Sequence, residues 1–347
     1  MSIRLGHPTG ERDALLAYGE WRAQASVEMI GRPDGGWDAV AVGTSTLWPS
    51  LDDHFELADK LYGDGGRRKV CDWLAEQVDL VDNADFAQQF AANAHLPGIS
   101  AQDYAHRHLR TAHGQLLGGI RFRGLDTARP FVEVLIHSFN DIEALTDCIR
   151  HEWSNFGAPY LRLLTRPGLL ADRPDGLLDV SIHLARYRDM PPADGRVTLE
   201  TFGSAEEAIE LVAGRYARLA HLDPPLASSI APATADDLRH WHTQDQVRAI
   251  RRHESTVGVL AVAAGAIAWI TGDEINEELI TEPYTGRGYA ASAQSAWAHH
   301  IATDRDQLLV GTIHRLNHAS RATAQRAGRP RMLDFTFIAL HSPTASR

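Results

Sequence analysis

The chain has 347 residues and a formal net charge of -11, from 34 Lys and Arg against 45 Asp and Glu. That balance argues against a nucleic-acid partner, whose phosphates need a basic face. The length suggests two domains, and a hydrophobic content of 44% supplies material for their cores.

Taken in order, the pattern predicts an early helix over Glu11–Met29, stopped by the Gly31–Gly36 turn, and a strand over Trp37–Leu47. Residues 51–95 read as three helical segments closed by Leu96-Pro97-Gly98. A further helix is expected over Tyr104–Ala112, then strands over Gly114–Phe122 and Phe131–Ile136. Asp141–Phe156 predicts a helix capped by Asp141, with Ile142, Leu145, Cys148, Ile149 and Trp153 on one face. Strands follow over Tyr160–Leu164 and Leu177–Tyr187. Met190–Gly195 (MPPADG) is the clearest linker, so residues 1–190 and 196–347 are the expected domains.

Beyond the linker, Val197–Phe202 predicts a strand and Ser204–Leu219 a helix with capping-box spacing to Glu207. A Pro-rich loop and a polar helix over Thr234–Arg252 come next. Val257–Val262 and Ala266–Thr271 predict a hairpin about Ala264-Gly265. Then come a strand over Ile275–Thr281, a glycine turn, a helix over Ala290–Ala302, a strand over Leu308–Ile313 and a helix opened by Asn317. Asp334–Leu340 is the expected last strand. Strand-strand-helix-strand thus occurs twice, over Gly114–Leu164 and Val257–Ile313, which predicts two related halves.

The chemistry concentrates in Ile275–Gly328. A glycine-bearing turn feeding a helix presents free backbone N–H groups at the positive end of the helix dipole, a ready site for a diphosphate. Gly286 and Gly288 let the backbone approach without a Cβ in the way, and Arg287 adds charge. Glu277 and Glu278 stand on the preceding strand, and alternation sends them to opposite faces. Asp179, Ser181 and His183 form a polar row on Leu177–Tyr187, and His314 follows the strand Leu308–Ile313. His240, His242, His299 and His300 have no metal-ligand spacing with acidic or cysteine partners, and Cys71 and Cys148 form no CxxC pair, so no metal is expected. Two such cysteines fit a reducing compartment. No secretory apolar segment opens the chain, and the longest apolar run, Val257–Ile270, is too short to span a bilayer, so a cytoplasmic protein without a membrane partner is expected.

Thr285-Gly286-Arg287-Gly288-Tyr289-Ala290 resembles the pyrophosphate loop R/Q-x-x-G-x-G/A of the GNAT superfamily of acyl-CoA-dependent N-acyltransferases, with Thr285 in place of the basic or amide residue. Asn317-His318-Ala319-Ser320, followed by a helix ending at Ala327-Gly328, resembles the family's second marker, N-x-x-S. The motif-level likeness covers about residues 257–340. In the first half Ser138-Phe139-Asn140-Asp141 stands where the loop should be, so that half resembles a degenerate copy.

The resemblance implies an α/β (α+β) fold of two GNAT-like halves, each a mixed, mostly antiparallel sheet flanked by helices. It implies acyl-CoA as donor, with its pyrophosphate on Thr285, Gly286, Arg287, Gly288, Tyr289 and Ala290. The pantetheine arm would run along Ile280 and Thr281, near Asn317 and Ser320. The acceptor would be a primary amine, held on the N-terminal side, with Glu277 or Glu278 as base and His183 or His314 as further candidates. The family's usual thiolate acid, a Tyr seven residues after the Asn, is here Ala324. Tandem members include enzymes that acylate the amino sugar of glycopeptide antibiotics. Lysine acylation of proteins and a non-catalytic acyl-CoA-binding module are the alternatives.

Overall fold

The computed structural model describes residues 49–340. The helix expected at Glu11–Met29 and the strand expected at Trp37–Leu47 lie outside the described residues. The chain forms two compact units, one of Met1–Leu177 with Phe335–Arg347 and one of Leu178–Asp334. The sequence places the division at Met190–Gly195. The contacts instead divide the chain inside two strands, because Leu177–Tyr187 precedes the linker yet pairs with the strand at Leu308.

The first unit opens with α1 (Asp52–Tyr62), α2 (Gly66–Val78) and α3 (Ala84–Asn93). The helix expected over Tyr104–Ala112 is not formed. Arg107–Thr111 is instead strand β1, paired antiparallel with β2 (Gly114–Phe122) across a two-residue turn. Tertiary pairing overrides local preference here. β3 (Pro130–His137) pairs antiparallel with β2, α4 (Ile142–Glu152) is capped by Asp141, and β4 (Tyr160–Thr165) pairs parallel with β3. Tyr104, Ile120, Val132, Leu145, Ile149, Trp153 and Leu161 fill this unit's core.

The second unit takes up β5 (Gly176–Arg186), whose first two residues belong to the first unit. β6 (Thr198–Thr201), α5 (Ala205–Leu222), the short α6 (Pro224–Ala227) and α7 (Ala235–Thr243) follow. Ser204 is the N-cap of α5 but makes no side-chain cap bond, so the expected capping box does not form. The polar helix also stops early. Asp245 takes a positive φ of 59°, and Val247–Arg252 becomes β7, paired with β6 and with β8 (Ser255–Ile267). β8 and β9 (Ile270–Ile280) form one long hairpin. It turns at Ala268-Trp269, not at Ala264-Gly265, because burial of Trp269 and Ile270 carries both strands past the glycine.

After β9 come α8 (Tyr289–His300), β10 (Leu308–His314), α9 (His318–Arg326) and β11 (Arg331–Ala339), which begins in the second unit and ends in the first. Within the second unit β10 pairs antiparallel with β5 along its whole length and parallel with β9 over two residue pairs. One core packs Val262, Ala293, Trp297 and Leu309 against α8. Another packs Val212, Leu238, Trp241 and Val259 under α5 and α7. Both units are therefore mixed α/β, with a mostly antiparallel sheet flanked by helices.

The repeat seen in the sequence extends to the pairing. β2-β3-α4-β4 and β8-β9-α8-β10 share one order of antiparallel and parallel partners. Each carries a bulge on the strand before its helix, at Leu135 in β3 and at Asn276 in β9. Each parallel ladder ends just before that bulge, at Val134↔Leu163 and at Glu274↔Val310.

Candidate active site

The short ladder between β9 and β10 leaves an opening between them. Only Leu309↔Asp273 and Val310↔Glu274 pair, although β9 runs on to Ile280 and β10 to His314. Beyond Glu274 the β10-facing edge of β9 has no strand partner among the described residues, a geometry that suits an extended ligand. The bulge at Asn276 twists β9 away from β10 at the point where they separate.

At the far end of β9 the chain enters a 3-10 turn (Glu282–Tyr284) and the glycine loop. Gly286 and Gly288 take φ of 74° and 77°, conformations that a side chain disfavours. Gly288 is the N-cap of α8 and offers no side-chain cap. No acceptor among the described residues is bonded to the N–H groups from Gly286 to Ala290. The Arg287 guanidinium lies 5.8 Å from the Tyr284 ring centroid, and Tyr289 turns into the core.

The loop is gripped by Arg196, just past the expected linker, and through it by Asp194. Arg196 Nη1 donates to the Arg287 carbonyl oxygen at 3.0 Å, and its Nη2 meets Asp194 at 2.6 Å. Ser292 Oγ, in the first turn of α8, donates to the same Asp194 carboxylate. Arg196, its charge balanced by Asp194, thus fixes the backbone of the loop in which Thr285 replaces the basic residue.

The corresponding place in the first unit is chemically different. The Asp141 side chain accepts the Glu143 N–H at 3.0 Å, so that helix start is already satisfied by a carboxylate. A cavity of about 450 Å³ lies beside the ends of β3 and β4, lined by Ile136, Phe139, Leu163, His54 and His137. No glycine lines it, and at the nearby start of α4 the Asp141 carboxylate opposes a phosphate.

Glu277 and Glu278 face opposite sides of β9, as alternation requires. Glu277 is buried on the α5 and α7 side, where it accepts the Ala233 N–H at 2.9 Å and the Tyr216 hydroxyl at 3.4 Å. Glu278 faces α8, where Gln294 Nε2 donates to both carboxylate oxygens at 2.9 Å. Burial raises the Glu278 pKa, against the Gln294 bonds and the charge of Arg329, which lower it.

His183 is not on an open face. It is 1% exposed, with Nδ1 3.2 Å from the Arg329 carbonyl oxygen and Nε2 3.1 Å from Ser181 Oγ. The carbonyl fixes the proton on Nδ1 and leaves Nε2 as acceptor. Burial, then the nearby arginines, lower its pKa. His314 is buried as well, and its Nδ1 accepts the Leu316 N–H at 3.3 Å. Ile280 ends β9 and Thr281 follows it, bonded to the Val257 carbonyl oxygen. Asn317 caps α9 by accepting the Ser320 N–H at 3.1 Å, so the N-x-x-S pair builds a helix start beside the end of β10. Ala324 is fully buried.

Arg329, Gln294, Tyr216 and Arg196 are absent from the sequence-based set. Arg329 meets His183 across 146 positions and Gln294 across 35, so no local spacing marks them. Among the described residues no group of three or more His, Cys, Asp or Glu side chains is placed to hold a metal, and no helix is long and apolar enough to cross a membrane.

No family model matches the chain, and no curated protein does. A comparison with solved structures finds several to which the chain is similar at low identity. A GCN5-related N-acetyltransferase from Sphaerobacter thermophilus is 16% identical at a TM-score of 0.42, over 77% of this chain and 94% of that one. A GNAT-family acetyltransferase from Colwellia psychrerythraea is 10% identical at 0.43, over 74% and 96%. A tandem GNAT protein from the clavulanic acid biosynthesis pathway is 10% identical at 0.38, over 79% and 96%.

Proposed function

We propose that the protein is a GNAT-type acyltransferase that moves an acyl group from acyl-CoA to a primary amine of a small molecule. One observation carries this reading: five consecutive N–H groups, Gly286 to Ala290, stand unbonded at the start of α8, at the end of a strand that has parted from its parallel neighbour. The loop suits a pyrophosphate, and the free edge of β9 near Ile280 and Thr281 suits an amide-bearing arm such as pantetheine. Asn317 and Ser320 lie where β10 gives way to α9, on the other side of that opening. The donor supplies the acyl thioester. The chain supplies orientation, backbone hydrogen bonds and proton transfer.

Of the two glutamates, Glu277 is the proposed base. Glu278 is held by Gln294 on the α8 side, whereas Glu277 shares its side of the sheet with a hydroxyl. The amine nitrogen attacks the thioester carbonyl carbon, the C–S bond breaks, and the amine proton passes to Glu277, directly or through water. Tyr216 then gives its hydroxyl proton to the departing thiolate and recovers one from Glu277. Tyr216 therefore takes the part of the acid missing at Ala324. His183 and His314 support backbone in this scheme and do not touch the reactants. An amino sugar of an antibiotic is the proposed acceptor class, in a cytoplasmic setting.

Release of free thiol from acetyl-CoA across a panel of amines, including amino sugars and lysine peptides, tests the reading. Amine-dependent release lost in Glu277→Gln supports it. CoA binding with no release for any amine supports the second reading, a non-catalytic acyl-CoA-binding module, which the buried methyl at Ala324 favours.

A further inference from the structure

A chain of buried polar groups crosses the second unit on the α8 side. It runs from the Glu278 carboxylate to Gln294 Nε2, from Gln294 Oε1 to Arg329 Nε at 2.9 Å, and from Arg329 Nη1 to the His183 carbonyl oxygen at 3.3 Å. Arg329 is 3% exposed and Gln294 fully buried. Two of the three guanidinium nitrogens are thereby fixed. Nη2 has no hydrogen-bond partner among the described residues, and no carboxylate there forms an ion pair with it. The guanidinium stays protonated at neutral pH, with its pKa lowered by burial to about 10.

Its place is specific. A Cβ on Gly311 would lie 3.1 Å from Arg329 Nη1 and 3.8 Å from the Ile275 Cβ. Gly311 and Ile275 are the first residues of β10 and β9 beyond their last pair, Val310↔Glu274. The guanidinium therefore sits at the vertex of the opening, and the glycine makes room for it.

We infer that the free Nη2 edge of Arg329 takes a carboxylate, carried by one of the two reactants at the β9–β10 opening. The guanidinium is held in place through Nε and Nη1 while Nη2 keeps its donor edge unused, and a planar guanidinium matches a carboxylate. Glu278 does not fill that role, because the Gln294 amide stands between them. The inference rests on the acyl-transfer reading and narrows its substrates. The carboxylate belongs either to the acyl group of the donor or to the amine acceptor.

Calorimetry on the full chain separates the two sources. One series compares succinyl-CoA with acetyl-CoA; the other compares an α-amino acid with the amine left by its decarboxylation. In one series the carboxylate-bearing member is expected to bind the wild type at least about tenfold more tightly. Arg329→Met should abolish that preference, and Arg329→Lys should keep part of it. Gly311→Ala retains the charge but presses on Nη1, and should weaken the preference several-fold if Arg329→Met does not fold. Equal binding within both series, or a preference that survives folded Arg329→Met or folded Gly311→Ala, overturns the inference. Wild type that binds neither CoA thioester defeats the donor reading, and the amine series then still decides the role of Arg329.

Discussion

Arg196 donates a hydrogen bond to the carbonyl oxygen of Arg287, and so the segment between β5 and β6 holds the loop that opens α8. Within one peptide the carbonyl and the N–H point in opposite directions. Gripping the Arg287 oxygen therefore turns the Gly288 N–H away from Arg196. Arg196→Ala should raise KM for acyl-CoA by about tenfold, the cost of one half-exposed charged hydrogen bond, with kcat nearly unchanged. Acyl-pantetheine, which lacks the pyrophosphate, should show no such change. An equal loss with both donors would remove Arg196 from the phosphate site.

Gly288→Asp should abolish CoA binding measured by calorimetry. The new side chain would place negative charge at the cradle, in a backbone conformation with φ of 77° that costs a side-chain-bearing residue about 1 kcal/mol or more. Its Cβ would also approach Arg196 Nη1 to 3.2 Å. Unchanged affinity in a folded variant would exclude this loop as the diphosphate site.

Glu277→Gln should lower kcat by a factor of about 10² or more while leaving CoA affinity intact, because general base catalysis contributes on that scale. Tyr216→Phe should lower kcat as well, with the loss smaller for a thioester whose thiol has a lower pKa. Glu278→Gln should leave the rate profile close to wild type. Steady-state rates with matched binding data distinguish the two carboxylates, and a larger loss at Glu278 would reverse their assignment.

In the first unit, burial lowers the pKa of His54 to about 4 and of His106 to about 3. His106 is enclosed between the Gln77 carbonyl oxygen and the Arg121 guanidinium. The unfolded chain takes up their protons near pH 6.5, whereas the folded chain does not. Stability is therefore full above pH 6.5 and falls as the pH drops from there toward 4, by roughly 1.4 kcal/mol per pH unit for each histidine. Denaturant unfolding at several pH values checks this. A flat profile between pH 6.5 and 5, or one unchanged in His106→Gln, would contradict it.

Local physics by itself determined the helix starts, the repeated strand-strand-helix-strand order and the glycine loop. Asp141 and Asn317 cap the helices they precede, and two glycines mark the positive-φ turn before α8. Each is a short-range effect of backbone conformation or of a nearby side-chain acceptor, and composition records such effects directly. Partners distant in the chain decided the rest. Arg107–Thr111 became a strand because β2 lay beside it, and the expected helix over Thr234–Arg252 ended when β6 and β8 claimed its second half. Alternation put Glu277 and Glu278 on opposite faces, but only tertiary packing set Tyr216 beside one and Gln294 beside the other. His183 stood in the sequence as one member of a polar row and became interior, in contact with Arg329, 146 positions away. Burial and charge balance are sums over neighbours, and folding alone chooses the neighbours.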